Sequence, residues 1–105
     1  MSGLVRIEAH EAQRRLQALA GWTLSADEKA IERHFQFKNF RSAFGFMTQV
    51  ALAAEKADHH PEWFNVYGRV DLRLTTHDVA GLSERDFALA QVIDRCAQTL
   101  QEPAA

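Results

Sequence analysis

Apolar and polar residues follow two different periodicities along the chain, one typical of helices and one typical of strands. Three segments have apolar residues three to four positions apart, which is the spacing of amphipathic helices: residues 8–20, 40–58 and 83–100. Four shorter segments alternate apolar and polar residues one by one, as strands with one buried face do: residues 22–24, 31–37, 63–67 and 70–75. The pattern therefore predicts the order helix, strand, strand, helix, strand, strand, helix.

This order indicates the fold class. Half-buried strands that are joined by short connections favour an antiparallel sheet, and helices with one apolar stripe bury that stripe against a sheet face. We predict an α+β fold with a single antiparallel four-stranded sheet and three helices on one face. A length of 105 residues is that of one domain, so the predicted domain spans residues 1–105.

Two of the predicted helices have capping signals at their N-termini. Asn39 can cap the central helix and Ser83 the last one, because their side-chain oxygens can accept a backbone N–H. Asp86 follows Ser83 by three positions, as in a capping box, and Leu82 and Phe87 are placed as a hydrophobic staple. We therefore expect the last helix to begin next to Ser83.

The central helix is apolar on more than one side. Ala43, Met47, Val50 and Ala54 share one face, while other apolar side chains, among them Phe44, spread around the rest of the helix. A chain of this length removes only about two-thirds of its unfolded surface from water. We expect the helix to pack on its own sheet on one side and against a partner chain on the other.

The charge of the chain is nearly balanced. It has 12 Lys and Arg against 14 Asp and Glu, a formal net charge of -2, and no block of like charges. Such a chain has no long-range electrostatic attraction for phosphate backbones or anionic lipid. A nucleic acid partner is therefore not expected.

Cysteine usage and hydropathy indicate a cytoplasmic protein. The single cysteine, Cys96, cannot form an intramolecular disulfide, and its position on the apolar side of the last helix is that of a small buried side chain. Residues 1–6 lack the apolar core of a signal peptide. The longest apolar run, residues 50–54, is far shorter than the ~20 residues of a spanning helix, so no membrane association is expected.

Three of the five histidines lie among carboxylates. His59 and His60 end the central helix, and Pro61 holds His60 in an extended conformation. His77 follows the last predicted strand, in the kind of loop that often carries function on a sheet scaffold. If the end of that strand lies beside the end of the central helix, the three rings line one cleft. His10 and His34 are isolated on polar faces, where we expect them to be solvated.

Several interpretations of this cluster compete. A structural one assigns His59 to complementing the helix dipole, His77 to solvated loop surface and Asp86 to the capping box. A divalent metal is a second, but the spacing matches no established zinc motif, so no metal is predicted. The third is metal-free general acid–base catalysis, which suits histidine because the unperturbed imidazole pKa of ~6.5 lets one ring donate while another accepts.

The residues around the cluster resemble the signature of the pterin-4a-carbinolamine dehydratase family. That pattern has an acidic residue, three further residues, His-His-Pro, an aromatic residue, another histidine and a later aspartate. Here it is matched by residues 55–67, 75–78 and 81–86. The similarity extends back through residues 35–52 to Gly21 and Trp22, and so covers most of the chain.

The resemblance implies a hydro-lyase. Members remove water from the 4a-hydroxytetrahydropterin left by aromatic amino acid hydroxylases and give quinonoid dihydropterin for recycling. The pterin is the substrate, so no cofactor is expected. Hydroxide leaves carbon 4a while nitrogen 5 loses its proton, which requires an acid and a base.

The resemblance also implies roles for individual residues. His59 and His77 would be the acid–base pair, in an order that the sequence leaves open, and His60 would orient the pterin. The catalytic group is His59, His60, His77 and Asp86. The substrate-binding group, in which Trp63 would wall the cleft and strand-end backbone groups would read the amide edge of the ring, is Asp58, His59, His60, Trp63, Thr75, Thr76, His77 and Asp78. Glu55, like Asp86, would orient a histidine from behind.

Members of this family are similar in assembly, forming a tetramer as a dimer of dimers joined partly through the central helices. Sheet edges are candidates for the other interface. Some animal members also bind the dimerisation domain of a homeodomain transcription factor. The alternative function is therefore a protein-interaction module that docks partner helices through its central helix, an interface that Met47→Glu or Val50→Glu is expected to break.

Overall fold

A computed structural model describes residues 3–100, and its element order is the predicted one. The helices are α1 (Ala9–Leu16), α2 (Phe40–Ala57) and α3 (Glu84–Leu100), and the strands are β1 (Thr23–Leu24), β2 (Ile31–Gln36), β3 (Glu62–Val66) and β4 (Arg69–Leu74). A 3₁₀ turn, His77–Val79, lies between β4 and α3. Residues 1, 2 and 101–105, which the predicted domain included, lie outside the described residues.

The four strands form one antiparallel sheet in the order β1-β2-β4-β3. In the register, Ile31 of β2 lies opposite Leu74 of β4, and Glu62 of β3 lies opposite Arg73 of β4. The predicted α+β fold is confirmed. β4 is an inner strand and runs antiparallel to its neighbour β3. The residues that follow Leu74 therefore lie on the same side of the molecule as the start of β3.

One face of the sheet is apolar and carries the helices. Val70, Leu72 and Leu74 of β4 are buried on this face, as strict alternation requires. Phe46 of α2 inserts between Phe35 and Phe37, with ring centroids 4.9 Å from each. Aromatic pairs at this separation add to the stabilisation that burial already provides. Val50 and Ala54, farther along α2, are buried as well, so the helix packs into the core along most of its length.

α1 is shorter than predicted. It ends at Leu16 rather than near Ala20, because the next amides bond carbonyls three residues back, such as Ala18 to Arg15 at 3.1 Å and Leu19 to Leu16 at 3.0 Å. Such bonds belong to a tightened last turn and not to a continuing α-helix. Apolar spacing alone does not separate these two geometries.

The predicted caps are present. Asn39 Oδ1 accepts the Ser42 amide at 2.8 Å. At α3, Ser83 Oγ accepts the Arg85 amide at 3.2 Å and Asp86 Oδ2 accepts the Ser83 amide at 3.0 Å. These reciprocal bonds form the capping box and set where α3 begins.

The predicted partner face of α2 is wrong in one respect. Val50 is fully buried in the core of its own domain and Met47 is half-buried, so Val50→Glu would disrupt the fold rather than an interface. The large apolar side chains that α2 leaves exposed are instead Phe40, Phe44 and Leu52. The exposed side chains lie on a different side of the helix from Val50, and only the packing decides which side faces the sheet.

Candidate active site

A cleft of about 390 Å³ opens where the end of α2, the start of β3 and the segment after β4 meet the start of α3. All nine of its lining residues are polar or charged. They are Asp58, His59, His60, Glu62, Thr75, Thr76, His77, Asp78 and Arg85. The end of β4 lies beside the end of α2, which was the condition for the three clustered histidines to line one cleft, and they do.

A left-handed residue turns the chain at the end of α2. Asp58 has φ of 52° and ψ of 43°, a conformation that Asp tolerates better than most non-glycine residues. The amide of His59 bonds back to the Ala54 carbonyl at 3.0 Å. This turn ends the helix and holds the two following histidines at a fixed corner of the cleft.

His59 is tied to a buried carboxylate. Its Nε2–H donates to Asp86 Oδ1 at 2.6 Å, and Asp86 is fully buried. The other oxygen, Oδ2, accepts the Thr76 hydroxyl at 2.7 Å as well as the Ser83 amide. With Nε2 occupied, Nδ1 is the nitrogen that His59 has left for a substrate.

His60 and His77 are much more exposed than His59. His60 Nε2 lies 2.8 Å from Glu55 Oε1, in a pair that faces solvent. His77 stands on the 3₁₀ turn with its side chain 84% exposed, and its Nε2 lies 3.6 Å from Glu62 Oε2. Each histidine of the cleft thus has its own carboxylate neighbour, and the closest pair is the buried one.

The threonines of the second predicted binding segment are already hydrogen-bonded. Thr75 Oγ1 donates to the Lys29 carbonyl at 2.6 Å. The Thr76 amide donates to the Gly81 carbonyl at 2.7 Å, and the Thr76 carbonyl accepts the amides of Val79 and Gly81. The backbone of Thr76 is therefore hydrogen-bonded within its own loop, and its side-chain hydroxyl donates to Asp86.

The structure does not bring every predicted site residue to the cleft. Trp63 is on the core-facing side of β3, opposite Leu72, and is not among the lining residues. Glu55 and Asp86 do not line the cleft, and they stand behind His60 and His59, where the resemblance placed them. Strand alternation sets the position of Trp63 and burial that of Asp86, and motif spacing reports neither.

Two lining residues were missed by the sequence reasoning, Glu62 and Arg85. Glu62 follows Pro61 directly, and its place opposite Arg73 at the start of β3 turns it toward His77. Arg85 adjoins Asp86 in the first turn of α3. A cation is unfavourable there because of the helix dipole, and that mismatch was a signal available in the sequence.

The described part of the chain has neither a metal-binding cluster nor a membrane-spanning helix. No group of three or more His, Cys, Asp and Glu side chains within residues 3–100 is arranged to hold a metal ion. No helix in the same range combines the length and hydropathy needed to cross a membrane.

The sequence matches the model of a known protein family. The model described as Pterin 4 alpha carbinolamine dehydratase matches residues 5–96, which is most of the chain. The chain belongs to this family of hydro-lyases. The resemblance drawn from the histidine motif is therefore confirmed at the level of the family.

Relatives in several bacteria are similar along nearly their whole length. A protein of Burkholderia ambifaria (strain MC40-6), provisionally named a pterin-4-alpha-carbinolamine dehydratase, is 52% identical over 101 residues, covering 95% of this chain and 97% of its own. One of Rhizobium johnstonii with the same provisional name is 53% identical over 92 residues, covering 88% of this chain and 91% of its own.

Solved structures share the fold. A crystal structure of a transcriptional coactivator/pterin dehydratase from Brucella melitensis has a TM-score of 0.86 and 48% identity, over 89% of this chain and 99% of that one. A pterin dehydratase-like protein described as a RuBisCO assembly factor of the alpha-carboxysome has a TM-score of 0.66 over 74% of this chain and 90% of its own. At 20% identity, the second shows the fold alone.

Proposed function

We propose that this protein dehydrates 4a-hydroxytetrahydropterin to quinonoid dihydropterin and water. The observation that carries the proposal is the meeting of three histidines in one cleft, each with its own carboxylate, in a chain of this family. The reaction needs one group to take the proton of nitrogen 5 and another to protonate the hydroxyl that leaves carbon 4a. Two imidazoles can fill these roles without a cofactor.

His59 is the base in this proposal. Its Nδ1 takes the nitrogen 5 proton, and the ring becomes an imidazolium whose Nε2–H remains bonded to Asp86. A buried carboxylate at 2.6 Å stabilises that cation and holds the ring in one orientation. Asp86 touches His59 and not the cleft, so it is a positioning residue rather than one that meets the pterin.

His77 is the acid. Protonated, it gives its proton to the 4a-hydroxyl, which departs as water while the electrons of the broken N–H bond form the nitrogen 5 to carbon 4a double bond. Its high exposure lets solvent reprotonate it between turnovers. The proton gained by His59 returns to solvent, so the balance is the loss of one water from the pterin.

The remaining lining residues would bind the ring. His60, held by Glu55, orients the pterin from the corner next to His59. Asp58 and Asp78 can accept from the amide and amino N–H groups of the pterin edge. Thr75 and Thr76 shape the wall of the cleft, since their hydroxyls are already bonded within the protein.

The decay of freshly generated 4a-hydroxytetrahydropterin, followed by ultraviolet absorbance with a chelator present, tests this function. Rapid decay with the wild type is expected, with losses of about 100-fold or more in His59→Ala and His77→Ala. His10→Ala is the control, because His10 is exposed on α1 outside the cleft. No acceleration by the wild type would refute the proposal, and inhibition by chelator would refute the metal-free mechanism.

The wider setting is part of the same proposal. The product would return to tetrahydropterin, linking the protein to an aromatic amino acid hydroxylase in the cytoplasm. The assembly would be a homotetramer that covers the exposed Phe40, Phe44 and Leu52 of α2. Apolar side chains of this size in one stripe are typical of a protein interface.

A second candidate function rests on the same α2 surface. Phe44 is 56% and Leu52 is 69% exposed, and the similar Brucella melitensis protein is described as a transcriptional coactivator as well as a pterin dehydratase. An interaction module would dock a partner's helices here. Loss of partner binding in Leu52→Glu, with unchanged pterin turnover, would separate the second function from the first.

A further inference from the structure

Four arginines of the described chain are half-buried, and three of them have carboxylate partners. Arg15 pairs with Glu11 and Glu84, Arg33 with Asp94, and Arg73 with Asp27, Glu32 and Glu62. Arg85 is the fourth, and within residues 3–100 its side chain makes no hydrogen bond or ion pair. A guanidinium has five N–H donors, and one that has lost part of its hydration needs acceptors.

Arg85 also lies where a cation is disfavoured. It is in the first turn of α3, next to the positive end of the helix dipole, and that position costs a cation stability. The Ser83 hydroxyl fixes the backbone amide of Arg85, so the capping box sets where its side chain starts. A residue that breaks a local rule without a structural gain points to a functional role.

The side chain of Arg85 lines the cleft, and its charge is opposite to that of the carboxylates around it. The ionised lining groups are otherwise the carboxylates of Asp58, Glu62 and Asp78. Carboxylates accept hydrogen bonds, so they suit the N–H edge of a pterin and not its oxygens. The oxygens on carbon 4 and carbon 4a are neighbours on the ring, at a separation that a two-pronged guanidinium can meet.

We propose that Arg85 is a substrate-binding residue that donates to the carbon 4 oxygen and the carbon 4a hydroxyl of the pterin. The proposal rests on the proposed dehydratase function. It gives the ring one orientation: its N–H edge toward the carboxylates, its oxygens toward Arg85, and carbon 4a between His59 and His77. A cation beside the 4a-hydroxyl also stabilises the negative charge that grows on that oxygen as the bond to carbon breaks.

The test compares Arg85→Gln with Arg95→Gln, since both arginines are on α3 and Arg95 is exposed outside the cleft. Affinity is measured by calorimetry with 6-methyl-7,8-dihydropterin, which keeps the carbon 4 oxygen and lacks the 4a-hydroxyl. Turnover is measured on 4a-hydroxytetrahydropterin. Far-ultraviolet circular dichroism and melting temperature establish that each variant is folded.

Arg85→Gln is expected to weaken dihydropterin binding about tenfold and to lower kcat/KM by more than that, because turnover adds the contact with the 4a-hydroxyl. Arg85→Lys, which keeps the charge without the fork, is expected to fall between Arg85→Gln and the wild type. Arg95→Gln should match the wild type. If Arg85→Gln does not fold, Arg85→Lys carries the same comparison.

A folded Arg85→Gln with wild-type affinity and wild-type kcat/KM overturns the assignment of Arg85. That result is distinct from failure of the proposed function, in which the wild type itself does not accelerate decay. In the latter case the calorimetric comparison still decides whether Arg85 binds a pterin.

Discussion

At the residue scale, the three histidines of one cleft have very different surroundings. The side chain of His59 is 9% exposed and is bonded to a fully buried carboxylate, while that of His77 is 84% exposed. A base that becomes a cation benefits from a fixed carboxylate, and an acid that must be reprotonated benefits from solvent. The proposed roles of the two rings follow from this asymmetry.

Asp86→Asn is expected to lower kcat about 10- to 100-fold. An amide can still accept the Ser83 amide, so the helix start survives, but it no longer carries the charge that stabilises a His59 cation. A displaced pH–rate profile should accompany the loss, which a purely structural role would not produce. Steady-state turnover from pH 5 to 9 measures both effects.

The matched control for that variant is Asp94→Asn. Asp94 is a second aspartate of α3, half-buried where Asp86 is fully buried. It accepts from Trp22 Nε1 at 2.9 Å and from Arg33 at 3.0 Å, outside the cleft. The Asp94→Asn substitution should lower the stability of the protein and leave the pH–rate profile of the folded protein unchanged. Equal profiles for Asp86→Asn and the wild type would argue against the positioning role of Asp86.

Cys96 is a residue whose environment predicts little reactivity. Burial raises the pKa of its thiol, so the thiolate fraction at neutral pH is small. Alkylation of the native protein by iodoacetamide at pH 7.5 is expected to be slower than that of the urea-unfolded protein, as mass spectrometry can follow. Equal rates in the two states would contradict the half-buried position.

At the element scale, two glycines predict opposite outcomes of the same substitution. A Cβ on Gly68 would lie 2.3 Å from the Phe37 carbonyl oxygen, so Gly68→Ala must move backbone and is expected to destabilise by about 1–3 kcal/mol. A Cβ on Gly45, inside α2, would meet Leu100 at an ordinary 3.9 Å. Gly45→Ala is expected to stabilise by about 0.5–1 kcal/mol.

Urea unfolding at pH 7 measures the free energy of unfolding for both variants. Because the substitution is the same, the pair controls for the added methyl group, and the sign of the change is the result. A Gly68→Ala protein as stable as the wild type would mean that the hairpin between β3 and β4 lies farther from the end of β2 than the structure has it.

The turn between β1 and β2 predicts a pH dependence. The Ser25 hydroxyl and the Lys29 amide both donate to Asp27 and, with Arg73, lower its pKa from 3.8 to about 2. A lowered pKa means that Asp27 stabilises the fold at neutral pH and loses that contribution as the pH falls from near 4 toward 2.

Asp27→Asn should therefore be less stable than the wild type at pH 6, and the difference should shrink as the pH approaches 2. Urea unfolding at several pH values measures it, with Glu28→Gln, an exposed neighbour, as control. A difference that stayed constant down to pH 2 would mean that the charge of Asp27 does not contribute.

At the scale of the whole molecule, the exposed apolar side chains predict that the protein assembles into an oligomer. Phe44→Glu is expected to break a tetramer into dimers, because it places a charge in the proposed helix interface. Val66→Glu, at the exposed edge strand β3, tests the second proposed interface, where strands pair. Sedimentation velocity of both variants and the wild type distinguishes the two surfaces, and a wild-type monomer would refute the tetramer.

Much of the secondary structure of this protein follows from local features of the sequence. Element order, sheet type and both helix caps depend on residues close together in the chain, such as Asn39 with Ser42 and Ser83 with Asp86. The histidine motif identified the family for the same reason, since its members lie at short, regular spacings. Local spacing could not, however, tell an α-helical turn from the tighter one that ends α1.

The tertiary structure decided what depends on residues far apart in the chain. It buried Asp86 behind His59 across 27 positions, turned Trp63 away from the cleft, buried Val50 in the core and brought Arg85 to the cleft without a partner. Which face of a strand or helix is covered depends on how the elements pack together. The sequence therefore determined which residues could do chemistry, and the packing of α2, α3 and β4 decided which of them meet.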